Sequence, residues 1–128
     1  MRLRSLRCAA RDRGAAAVEF ALVLPLLVAL VFGLIDFGRA YNQQISLTQL
    51  AREGARLVSL NKTDYVARMV AAAPSSLGIN ASNITAVTVC SATSTAAGDA
   101  TVKVTKTFTF IVGATMTLTG KATMPCLG

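Results

Sequence analysis

The residues with chemistry to offer in this chain are Cys8, Cys90, Cys126 and Glu19, a carboxylate set inside an apolar run. Histidine is absent, which removes the commonest general base and the commonest metal ligand. Ser, Asp and Glu occur without histidine, a metal cluster or a glycine-rich phosphate loop, so no catalytic constellation forms. The expectation is a protein that is not an enzyme, with no catalytic residues, no metal ligands and no cofactor. Two cysteines without histidine make a poor tetrahedral zinc site, whereas in an oxidising compartment their natural product is a disulfide. Glu19 needs a different account, because an uncompensated carboxylate costs on the order of a few kcal/mol in hydrocarbon. Either it snorkels or stays protonated, or it pairs with the N-terminus of a neighbouring subunit.

The element that carries Glu19 is the stretch 15–35, AAAVEFALVLPLLVALVFGLI, in which it is the single charge. At about 1.5 Å per residue this run spans roughly 31 Å as a helix, the thickness of a bilayer's hydrocarbon. The chain outside it is too short to surround a helix that is apolar on every side. Residues 1–14 hold Arg2, Arg4, Arg7, Arg11 and Arg13 against Asp12 alone, which predicts a basic cytoplasmic leader and an extracytoplasmic remainder from Asp36 onward. A removable signal peptide has a shorter apolar region and no acid, although Gly38-Arg39-Ala40 weakly imitates its cleavage site. Cys8 lies on the cytoplasmic side and is expected as a free thiol. Pro25 removes one backbone hydrogen bond and should kink the span, as membrane helices tolerate.

Gly14-Ala15-Ala16-Ala17-Val18-Glu19-Phe20, after a basic leader and before an apolar helix, resembles the processing signal of type IV-like pilins and pseudopilins. Asp36-Phe37-Gly38-Arg39-Ala40 and the segment Ile45 to Arg56, ISLTQLAREGAR, resemble the TadE family of the tight-adherence (Flp-type) pilus system. The resemblance implies a minor pilin or pseudopilin that takes part in pilus assembly through its membrane helix. It also implies a prepilin peptidase cutting between Gly14 and Ala15, with Glu19 becoming mature residue five and registering the subunit against its neighbour. Ala15 stands where pilins carry an aromatic residue, and some relatives with this helix remain uncut. The implied partners are membrane lipid, other pilus or pseudopilus subunits, assembly-platform proteins and the peptidase. The implied location is a bacterial inner membrane, with the chain crossing once.

Beyond the span, residues 37–59 hold no proline, and apolar or small positions recur at Tyr41, Ile45, Ala51, Ala55 and Val58, predicting a continued helix with one packing face. Gly33, Gly38 and Gly54 are read as places of close helix approach. Arg52, Glu53 and Arg56 read as a solvated face with local ion pairs. Tyr65–Ala73 reads as a short second helix, with Thr63 as N-cap and Pro74 as its stop. Residues 84–91 alternate as a strand. Thr101–Val112 and the run from Ala114 to Met124 form a long hairpin, with Val102, Val104, Phe108, Phe110 and Val112 on the apolar face and Lys106 interrupting it. Cys90 and Cys126 end the first and last strands on the oxidising side, and a bond between them would close a loop of roughly 37 residues.

The fold expected is α+β: a transmembrane helix extending into a small extracytoplasmic domain with a second short helix and about three antiparallel strands. Its parts are 1–14, 15–35 and 36–128. The formal net charge of +7 raises an alternative, a membrane-anchored binding module for DNA, polysaccharide or another acidic surface. From Arg39 onward, however, the cations are scattered and no aromatic-and-basic groove is evident, so nucleic acid is not expected as a partner.

Overall fold

The structure, a computed structural model, describes residues 6–90 and 98–126, with side chains from Gly14 onward. Ser91 and the leader residues Arg2 and Arg4 lie outside the described residues, as do the side chains of Arg7, Cys8, Arg11, Asp12 and Arg13. The chain divides into two units, with the boundary between Phe37 and Gly38.

The first unit is carried by the N-terminal part of α1, a helix over Leu6–Ser59 that continues through Pro25. Its large apolar side chains from Val18 to Ile35 are all exposed. A helix of this length and composition, unburied on every side, is long and apolar enough to cross a membrane.

The second unit is an α+β module. It holds the C-terminal part of α1, a short helix α2 over Tyr65–Ala72, and strands β1 (Ile84–Thr88), β2 (Asp99–Thr109) and β3 (Thr115–Pro125). Helix α1 ends where Asn61 takes a left-handed conformation, φ 55°. The Lys62 amide then donates to Leu57 O at 3.1 Å and the Asn61 amide to Val58 O at 3.0 Å, the paired bonds of a Schellman cap with asparagine in the slot glycine usually fills. Helix α2 starts after Asp64, not Thr63, and no side chain caps it; it stops before Pro74, which forces Ala73 into extended backbone.

The sheet is antiparallel in the order β1-β2-β3. Residues 84–88 form the first strand, so Cys90 lies just past it, and a register shift between Ala86 and Thr88 leaves Val87 unpaired. The hairpin pairs Phe108 with Met116 and Val104 with Gly120. Even-numbered residues of β2 and β3 face the core, and Ala100, Val102, Val104, Phe108 and Leu118 are buried there. Val112 does not continue that face: it belongs to the turn and is 84% exposed.

Helix α1 covers the sheet with a stripe of Ala40, Leu47, Leu50, Ala51, Ala55 and Val58. The expected face is corrected at its start, since Tyr41 and Ile45 are exposed. The cause is close packing. Gly120 lies so near Leu47 that a Cβ on it would run into the Leu47 carbonyl, and this fixes which side of the helix turns inward. Gly54 is the other close approach, against Met69 of α2 and Val102, whereas a Cβ on Gly33 or Gly38 would meet open space. The Gln44 side-chain amide donates to Thr119 O at 2.7 Å and ties the helix to β3.

Candidate processing and assembly site

The Gly14–Ala15 bond lies on α1 with both residues exposed, and nothing comes within 4 Å of where a Gly14 Cβ would stand. A protease must draw a bond out of a helix to cut it. Glycine at this position weakens the helix by about 1 kcal/mol relative to alanine, while Ala15, Ala16 and Ala17 restore it immediately afterwards. Glu19 is exposed on the same helix. It sits one turn beyond Ala15, on the face that position 15 presents, because residues four apart are neighbours on a helix surface. The sequence-derived residues Gly14, Ala15 and Glu19 are thus gathered within the first turns of the exposed apolar helix.

The D-F-G-R segment lies at the unit boundary. Asp36 is 4% exposed and Phe37 is 71% exposed. The Arg39 guanidinium lies over the Phe108 ring, 5.7 Å from its centroid, and Phe108 meets Phe110 edge-on. This cation–π contact is invisible to local spacing, because its partners are far apart in sequence.

The remaining described cations do not assemble a groove. Arg56 Nη2 pairs with Glu53 Oε1 at 2.9 Å and Arg68 Nε with Asp64 Oδ2 at 2.7 Å, both exposed and local. The hydrogen bond from Arg56 holds the Glu53 carboxyl below its ordinary range, and that from Arg68 does the same for Asp64. Lys106 lies across from the Gly78 loop, and Lys103 stands directly opposite Lys121 in the hairpin. Among the described residues no group of His, Cys, Asp and Glu could hold a metal ion.

Cys90 and Cys126 are joined as a disulfide, with Cα atoms 5.7 Å apart. Beside it the Cys126 amide donates to Gly98 O at 2.8 Å, so the bond ties the two edge strands together at the end where β2 begins.

An exposed apolar helix that runs on into a small disulfide-tied α+β module defines a class: a membrane-anchor candidate with a compact head. Within it, residues 14–56 match the family model described as TadE-like protein. This is the family that the motifs in that stretch resemble. The family is not known for enzymatic activity. The match stops at Arg56, so it lies within α1 and includes none of the sheet. No curated protein and no solved structure gives a significant match to the chain.

Proposed function

We propose that this chain is a pseudopilin-like subunit of the tight-adherence pilus machinery, held in the inner membrane by residues 15–35 with its N-terminus cytoplasmic and residues 36–128 outside. The observation that carries the reading is the coincidence of the TadE-like match with an exposed apolar helix bearing one carboxylate, five positions beyond Gly14. The arginine-rich leader supports the orientation. In this reading a prepilin peptidase cuts between Gly14 and Ala15, and Glu19 neutralises the new α-amine of an adjacent subunit. Such a pairing is stronger in low dielectric than in water. Tyr41 and Ile45 extend the apolar side of the helix beyond the span and offer further surface to a neighbouring subunit or to the assembly platform. Function is association, with no turnover.

The test is Glu19→Gln in cells carrying the pilus machinery, followed by crosslinking and mass analysis. Processing at Ala15 is expected to continue while crosslinks to other pilus subunits are lost. Crosslinking at the wild-type level would remove Glu19 from the mechanism.

A further inference from the structure

The β2–β3 turn is made of residues that turns avoid. Glycine, proline, asparagine, aspartate and serine dominate such positions; here the loop is Phe110-Ile111-Val112-Gly113-Ala114, with Gly113 at φ 85° the only one of them. The turn is well formed, for the Phe110 amide donates to Ala114 O at 2.8 Å and the Gly113 amide to Phe110 O at 2.9 Å. Val112 and Ile111 nevertheless stand largely in the open, and Met116 beside them is also exposed. No charged residue occurs from Thr107 to Thr119, whereas Asp99, Lys103, Lys106 and Lys121 all fall in the other half of the hairpin. Ile111 and Val112 are not among the module's buried core residues, and branched side chains exposed together at an uncharged tip suit another apolar environment.

The module's internal geometry says which environment is at hand. Arg39 lies over Phe108, Gln44 reaches Thr119, Leu47 meets Gly120 and Gly54 meets Val102, so this part of α1 runs antiparallel to β2. The turn therefore lies at the Arg39 end of the module, and the disulfide lies at the opposite end. From Phe108 to the tip is roughly 10 to 13 Å of extended chain. From Arg39 back to Ile35, where the apolar run closes, is only about 6 Å of helix. Ile111 and Val112 thus lie at the end of the module through which the chain enters from the apolar run, the end nearest along the chain to the point at which the helix would leave the hydrocarbon.

We infer that the β2–β3 tip is a second membrane contact: Ile111 and Val112 insert at the headgroup–acyl boundary of the leaflet from which the module emerges. The lipid beside the span is the occupant, and the tip fixes how the module rests on it. The inference rests on the reading that residues 15–35 cross a bilayer.

Because the chain has no tryptophan, single substitutions place a unique fluorophore. The full chain carrying Val112→Trp, Val89→Trp or Leu22→Trp is reconstituted in phosphatidylcholine vesicles brominated either near the headgroup or at mid-chain. Intact mass confirms the disulfide in each. Val112→Trp should lose emission most with headgroup-proximal bromine and Leu22→Trp with mid-chain bromine, while Val89→Trp, at the disulfide end, stays unquenched. An unquenched Val112→Trp beside a quenched Leu22→Trp would overturn the tip contact and leave the span intact. Blue-shifted but unquenched Val112→Trp emission that grows with protein density would assign the tip to a neighbouring subunit and also overturn it. If Leu22→Trp escapes quenching, the spanning reading fails and the tip contact fails with it.

Discussion

A methyl group added at Gly120 would meet the backbone of Leu47 and Thr48, whereas one added at Gly54 would meet the thioether of Met69 and, behind it, Val102. Backbone cannot swing aside as a methionine side chain can. Gly120→Ala should therefore cost about 1 to 3 kcal/mol through overpacking. Gly54→Ala regains about 1 kcal/mol of helix propensity against a softer clash. Urea unfolding of the detergent-solubilised chain should show the larger loss at Gly120; equal midpoints would mean that helix and sheet are less closely packed than described. Gly54 was legible in the sequence as a place of close approach, because a glycine inside a helical pattern calls for a reason. Gly120 was not, since its reason is a helix more than seventy positions earlier. Gly14, Ala15 and Glu19 came forward through the resemblance of their segment to a pilin-type processing signal, and their roles are part of the proposed function.

Among the elements, the hairpin declared itself by alternation, and its core-facing valines and Phe108 lie where period two put them. The strand ends were less readable. Val112 fits the alternation yet belongs to the turn, because Gly113 accepts a positive φ that ends the pairing. The long helix was legible from its lack of breakers, but its packed face was partly misread, since Tyr41 and Ile45 follow helical spacing equally well on the exposed side. The disulfide acts at this scale by holding both edge strands at one end of the sheet. With its cysteines 36 positions apart, its removal by Cys90→Ser with Cys126→Ser should lower unfolding free energy by about 4 kcal/mol in the chain-entropy model. An unchanged denaturant midpoint after substitution would contradict that role. The ion pair at the start of α2 gives a pH signature. Arg68 lowers the pKa of Asp64, so its contribution is present above the ordinary carboxylate range and is lost as pH falls through the lowered folded value. The small stability difference between wild type and Asp64→Asn should vanish in acid; a difference that persists there would assign the effect to something other than charge.

At the scale of the whole molecule, one helix carries two kinds of surface. Up to Ile35 it offers apolar surface on all sides, and from Gly38 it turns a stripe toward the sheet. Composition made the first half legible, because a long apolar run broken by a single carboxylate has few folded fates. The second half needed the sheet before its inward side could be known. The family match lies within the same helix, over residues 14–56, and leaves the head to be understood from its own geometry. The most direct test of the account is intact-mass and N-terminal analysis of the membrane-extracted chain, with and without a co-expressed prepilin peptidase. The account predicts a chain beginning at Ala15 only when the peptidase is present. A chain that stays uncut beside an active peptidase would contradict entry into the pilin pathway and leave a permanent anchor, and one that begins at Tyr41 would contradict the membrane span itself.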